Sequence, residues 1–270
     1  SCVARFAHEM VKQAGNASQL DGSVLGALSA LHQQCIAEAA RHDAFRQTPV
    51  NWLDWRECQL TRVHAERIAG ATNATLGALR DACLLALLTY QPPDRVGVIR
   101  TLRVGHSLLS AANGAYQLNV ASPTAHKTAA VFGPTKTGMP AAIGARITAY
   151  VADAKLEHGD YLFYTGQDAS RPLDSSAWSR LVKSCFKRHS ARKVPLAPKE
   201  LRASFVTFLK GNEHSNAVLR AAATAMRHSS KTQASHAYNK GDSTTIAAAV
   251  NVAEAYAARF SAAASSSSAT

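Results

Sequence analysis

The chain has 270 residues, 47% of them hydrophobic and 18% charged, and its 30 Lys+Arg against 18 Asp+Glu give a net charge of +12. That apolar fraction excludes a wholly disordered polypeptide, and the length leaves room for one large domain or two modest ones. No run approaches the roughly 18 apolar residues of a membrane-spanning helix, and the excess positive charge favours a polyanionic partner, nucleic acid before an anionic membrane surface.

The N-terminus carries Arg5, His8, Glu9 and Lys12 among its apolar residues, so it lacks a signal-peptide core, and a start at Ser rather than Met fits a fragment. The cysteines, at 2, 35, 58, 83 and 185, are odd in number and never spaced C-x-x-C. Neither a disulfide framework nor a zinc site is expected, and a reducing, intracellular compartment fits. The eleven histidines form no H-E-x-x-H, and the chain has no phosphate-loop or dinucleotide fingerprint. No metal and no cofactor is therefore expected.

Alanine is abundant and β-branched runs are few, which predicts a mainly helical chain. Helical spacing runs through Leu25, Leu28, Leu31, Cys35 and Ile36, then through Trp52, Trp55, Leu60 and Val63 to about Ile68. Gly70–Asn73 reads as a hinge and a domain boundary. The next helix carries Leu76, Leu79, Cys83, Leu87 and Tyr90, with Thr75 or Asn73 as its cap and Pro92-Pro93 as its stop. Tyr116–Val120 alternates like a strand, and His126–Phe132 is expected to pair with it across Ala121–Ala125. Gly133, Pro134 and Gly138 punctuate a following loop.

Helices then resume. Pro140 opens one with Ile143, Ile147, Tyr150 and Val151 on its buried face. Tyr161–Tyr164 is a short apolar run before a turn-rich loop. Asp174 or Ser175 caps a helix bearing Trp178, Leu181, Val182, Cys185 and Phe186. Further helices are expected over about Pro198–Lys210 and Ser215–Met226. The last uses Ile246, Val250, Ala253, Ala257 and Phe260, and 261–270, Ser and Ala apart from its final Thr, reads as a disordered tail.

Five short segments carry chemistry in a fixed order. They are Pro92-Pro-Asp-Arg95, His126-Lys127-Thr128, Lys199-Glu-Leu-Arg202, Met226-Arg-His228 and His236-Ala-Tyr238. An apolar helix precedes Arg95, Lys127 falls in the expected hairpin, and a K-x-x-R box opens a helix. This pattern, over about residues 70–260, resembles the tyrosine recombinase (phage integrase) family. Pro-Pro before Arg95, the Lys-Thr pair and Arg-His-Ser after Met226 resemble the recombinases of DIRS-like or Crypton-like mobile elements and large DNA viruses.

The residue types suit phosphodiester exchange. Guanidiniums hold non-bridging oxygens through planar forks and stay charged at any working pH. Each such preorganised donor is worth roughly 3–4 kcal/mol by analogy with oxyanion-hole deletions. A tyrosine nucleophile keeps the ester bond for later reversal without ATP, and a lysine in a β-turn can protonate the leaving alkoxide. The resemblance thus implies Arg95, Lys127, Lys199, Arg202, His228 and Tyr238 as the catalytic set. Lys127 is preferred to Lys136 because Lys136 falls in the Gly/Pro loop. Tyr256 is the fallback nucleophile but lies in the last helix's apolar pattern. Two departures stand out: Lys199 replaces a frequent His, and the His228–Tyr238 gap is one residue longer than the family's usual nine.

Lys183, Lys187, Arg188, Arg192 and Lys193 cluster before the K-x-x-R box and read as phosphate contacts to DNA. The expected fold is mainly α with a β-hairpin or three-stranded sheet, the resemblance implying a recombinase-like catalytic domain. Residues 1–68 would form a partial helical core-binding domain, 69–260 the catalytic domain and 261–270 the tail. The resemblance further implies site-specific cleavage and rejoining of double-stranded DNA. Four protomers on two duplexes would be joined through a C-terminal helix that docks in trans, in the nucleus of a eukaryote or the cytoplasm of a prokaryote. Two other readings are a recombinase-derived DNA-binding protein without catalysis, and an unrelated helical protein whose basic surface meets RNA or a membrane.

Overall fold

The computed structural model describes residues 51–94, 96–111, 115–120, 135–166, 168–212, 214–226 and 243–266. The chain divides between Val50 and Asn51 into two compact units, and all of these residues belong to the second. It is mainly helical, with a three-stranded antiparallel sheet and a separate two-stranded one.

Helix α1 (Trp55–Ala69) starts at a reciprocal cap. Glu57 N donates to Asp54 Oδ1 at 2.7 Å and Asp54 N to Glu57 Oε2 at 2.9 Å. Helix α2 (Leu76–Thr89) is capped by Thr75, whose Oγ1 accepts from Ala78 N at 3.2 Å. Residues Ala82–Leu88 are each 3% exposed or less. A helix apolar on every side has to sit in the centre of a core. It does: α1 packs along one flank, and α4 (Ala141–Asp153) and α5 (Ser175–His189) along others.

The boundary expected at Gly70–Asn73 is corrected by this packing. Those residues form a tight reversal, with Gly70 N donating to Glu66 O at 2.9 Å and Ala74 N to Ala71 O at 3.0 Å. Helix α1 folds straight back onto α2, Ala65 and Ala69 are buried, and Gln59 Nε2 reaches Thr89 O at 2.9 Å. A turn of such composition looks like a linker in sequence; the apolar face before it decides otherwise.

The short helix α3 (Val96–Arg100) leads to β1 (Leu108–Ser110). The central strand, β2 (Tyr116–Val120), pairs with β1 and with β3 (Thr135–Gly138), in a register that sets Leu118 opposite Leu108 and Thr137, and Asn119 opposite Lys136. The expected partner segment 126–132 lies outside the described residues. The third strand therefore includes Lys136, which the sequence had assigned to a loop. A four-residue Thr-Lys-Thr-Gly strand carries almost no local signal, and flanking Gly and Pro mask it.

A second ladder joins β4 (Tyr164–Thr165) to β5 (Asp168–Pro172) where only a loop was expected. Helix α5 is capped by Asp174, whose Oδ1 accepts from Ala177 N at 2.7 Å. Helix α6 (Pro198–Gly211) places Leu201, Phe205 and Leu209 in the core, and Phe205 packs on Trp55 with ring centres 4.8 Å apart. Helix α7 (Asn216–Ala225) follows the cap Ser215.

Helix α8 (Ser243–Ser266) lies against α1, α7 and β3 of its own chain. Ala249, Ala253 and Ala257 are fully buried there. The helix also corrects the tail. It continues to Ser266, and Ser261 Oγ lies 3.1 Å from Tyr90 Oη, so residues that read as low-complexity extend a helix because alanine is the best helix former. Among the described residues no helix is long and apolar enough to cross a membrane.

Candidate functional site

Of the six residues expected to act in catalysis, Arg95, Lys127, His228 and Tyr238 lie outside the described residues. Lys199 and Arg202 stand in the first turns of α6. Pro198 opens that helix, and Glu200 Oε2 accepts from Ala197 N at 2.7 Å. Leu201, Ser204 and Phe205, all buried, fix its rotation. Lys199 is left exposed and Arg202 half-buried, three residues apart and so neighbours on the helix surface.

Described chain near two of the others, Arg95 and His228, meets in one place. Gln91, Pro92, Asp94, Leu118, Thr137, Ala225 and Val250 line one small crevice. Asp94, buried, immediately precedes Arg95; Ala225 stands three residues before His228. The crevice also meets β3 at Thr137. Strand side chains alternate between faces, so Lys136, opposite Asn119, belongs to the other face and is exposed. Lys136 thus gains a strand but not the crevice. Tyr256 packs half-buried between the rings of Phe208 and Phe260, at 4.4 and 5.2 Å, and burial pushes its hydroxyl pKa up. That is the setting of a core tyrosine.

The five basic residues expected to contact DNA separate into two groups. Lys183 and Lys187 are exposed on α5 and make no ion pair among the described residues. The others are engaged within the protein. Arg188 pairs with the Asp81 carboxylate, Arg192 Nη1 lies 3.1 Å from Glu57 Oε1 and 3.2 Å from Trp52 O, and Lys193 Nζ donates to Arg188 O at 2.9 Å. Lys193 holds φ at 55°, in the left-handed region that non-glycine residues seldom adopt.

Sequence reasoning missed the polar cluster around Asp81. This carboxylate is fully buried in α2, and it accepts from His189 Nε2 at 3.0 Å, Arg80 at 3.3 Å and Arg188. Burial works to raise its pKa, but the His189 hydrogen bond and the two guanidiniums outweigh that and hold it below the ordinary carboxylate value. Cys185 donates to Asp81 O at 3.8 Å, so Asp81, Cys185 and His189 bring possible metal-ligand atoms within 4.8 Å of one another. Guanidiniums occupy the carboxylate, however, and burial pushes the thiol well above its ordinary pKa. The trio is a buried salt network rather than a cation site. No sequence signal marked it, because Asp81 is 107 residues from Arg188.

A second buried charge, Arg62, lies fully enclosed. It meets Glu66 Oε2 at 2.6 Å, Gln59 Oε1 at 3.3 Å and Tyr90 Oη. No family model matches the chain, and no curated protein matches it.

Proposed function

We propose that this protein cleaves and rejoins duplex DNA through a covalent 3′-phosphotyrosine, as tyrosine recombinases do. The observation that carries the reading is the ordered set Arg95, Lys127, Lys199/Arg202, His228 and Tyr238 in a strongly basic chain. Its support is that Asp94, next to Arg95, and Ala225, three residues before His228, line one crevice with Thr137 of β3. The mainly helical fold with a small antiparallel sheet agrees with such a catalytic domain.

In this reading Arg95 and Arg202 hold the non-bridging oxygens of the scissile phosphate, with His228 and Lys199 adding donors. Tyr238 Oη attacks phosphorus, its own proton passing to water, and the 5′-oxygen leaves, taking a proton from Lys127. The bond to tyrosine replaces the bond to the 5′-oxygen, so a later 5′-hydroxyl can reverse the step without an external energy source. Charge growing on the phosphoryl oxygens is what the guanidiniums stabilise. Assembly as a tetramer on two duplexes is part of the proposal. Assembly through α8 would require that helix to leave its seat on α1 and α7.

A DNA-binding protein without catalysis is the second reading, favoured by Lys199 in the place of a frequent His and by the longer His228–Tyr238 spacing. A suicide duplex nicked near the cleavage site separates the two. An active enzyme becomes covalently attached and migrates slowly on a denaturing gel, while Tyr238→Phe binds DNA and forms no adduct. An adduct that survives Tyr238→Phe but not Tyr256→Phe assigns the wrong tyrosine. No adduct from the unmodified protein on any duplex it binds leaves the binding reading.

A further inference from the structure

We propose that His64 and His189 form a two-imidazole site for a zinc-class transition-metal ion, clamping α1 to the loop between α5 and α6. The two residues line a groove of about 270 Å³ together with Glu57, Leu60, Thr61 and the 190–193 loop. Leu60, 43% exposed on α1, also lines this groove, which opens to solvent as an entry path. His64 comes from the middle of α1 and His189 is the last residue of α5, so an ion between them ties together elements that chain connectivity leaves apart.

The hydrogen bonding of His189 defines what its free nitrogen presents. The ring is 4% exposed, and Nε2 lies 3.0 Å from Asp81 Oδ2. An ionised carboxylate only accepts, so Nε2 carries the proton and a neutral ring presents a lone pair at Nδ1. Among the described residues, neither His189 Nδ1 nor His64 Nδ1 makes a hydrogen bond of ordinary geometry, and both atoms are buried, with the His64 ring also facing the main chain of His189. A buried nitrogen without a partner is costly, and two beside one groove call for a shared occupant. The ring centres lie 5.7 Å apart with planes tilted by 59°. Imidazoles bonded to one ion at about 2.0–2.1 Å place their ring centres about 5–6 Å apart.

Asp81 supplies the remaining component. A ligating histidine commonly donates its other N–H to a carboxylate, which fixes the ring and raises its basicity as a ligand. Arg192 and Lys193 line the same groove. Their charge opposes any dication, and most of all hard ones such as Mg²⁺ and Ca²⁺, which gain little from imidazole in return. It leaves ions that bond covalently to neutral imidazole, Zn²⁺, Co²⁺, Ni²⁺ or Cu²⁺, with water in the other positions. The ion's role here is to hold the loop that leads into α6, and it is independent of any DNA chemistry.

The test uses the full chain, with Co²⁺ as the spectroscopic probe and Zn²⁺ as its competitor. A single micromolar Co²⁺ site is expected, with visible ligand-field bands but no thiolate charge-transfer band, and displaced by Zn²⁺. Zn²⁺ should raise the melting temperature of the unmodified protein. His64→Ala and the bulkier His64→Gln should each weaken binding by at least about tenfold, and should abolish the Zn²⁺-dependent rise in melting temperature. These variants are preferred to a change at His189, which would strand the Asp81 network. A thiolate band would put the ion in the Asp81–Cys185–His189 trio and overturn the proposal. Undiminished binding in both folded His64 variants would do the same, by assigning the ion to other histidines, as would the absence of any micromolar site.

Discussion

Arg62 of α1 donates to the main-chain oxygen of Ala257 in α8 at 3.1 Å, joining helices 195 residues apart in the chain. The same guanidinium holds Glu66 and stands over the Tyr90 ring, 3.8 Å from its centre. Burial lowers the Arg62 pKa, and Glu66 offsets part of that. Glu66 in turn meets Arg146 of α4 at 3.5 Å. Four helices therefore share one buried polar junction.

Removing one partner of such a junction leaves the rest desolvated and unpaired. Arg62→Met is expected to lower the unfolding free energy by about 3–5 kcal/mol. Adding Glu66→Met should recover part of that loss, since the stranded carboxylate is then gone. Denaturant unfolding of the two variants measures both; an unchanged midpoint for the single variant would mean the junction contributes nothing net.

The seat of α8 changes what truncation should do. A C-terminal helix that docked in trans would leave a folded monomer when residues 244–270 are deleted. Ala249, Ala253 and Ala257 are instead buried in their own chain, and Arg62 loses its acceptor when the helix goes. The truncated protein should lose cooperative thermal unfolding by circular dichroism. A sharp melt near that of the full chain would show that α8 is dispensable to its own core.

Alkaline pH should unfold the protein through its buried phenols. Burial raises the pKa of Tyr90 and of Tyr150 above the ordinary 10.0. A raised folded pKa means that the stability contributed is full below the unfolded value, declines above it, and is lost as pH rises through the folded pKa. Ionisation absorbance near 295 nm should therefore rise together with loss of helical signal above about pH 10. Tyr90→Phe should move that transition to higher pH. Phenol ionisation complete before any loss of structure would contradict the burial.

On the DNA-binding reading, the lysines of α5 and the arginine of the following loop should behave differently. Lys183→Ala and Lys187→Ala should each weaken duplex binding whatever its sequence, and lower the slope of log affinity against log salt by about 1. Arg192→Ala should change that slope less, because Arg192 is held by Glu57 and the Trp52 carbonyl. Fluorescence anisotropy across a salt series reads all three. Equal slopes for every variant would place the phosphate track elsewhere.

The sequence by itself determined the longer helices among the described residues, because their determinants lie within a turn or two of chain; the helix expected through Leu25–Ile36 lies outside those residues, and the short helix α3 was not expected. Thr75 and Asp174 were each one of two caps expected, Ser215 stood at the expected start of its helix, and the stripes through Leu201, Phe205 and Leu209 or Trp178, Val182 and Phe186 are buried as spaced. Candidate site chemistry was legible only as an order of residue types, since four of its six members fall outside the described residues. Tertiary structure decided what depends on distant partners. It set Thr135–Gly138 against β2, because backbone pairing needs an edge that no local pattern announces. Tertiary structure also placed α1 against α2 rather than in a separate domain. It engaged Arg188 and Arg192, which read as solvent-facing phosphate contacts, with Asp81 and Glu57, 107 and 135 residues upstream. A charge's partner is fixed by proximity after folding, and residue spacing carries that information only within a helix turn.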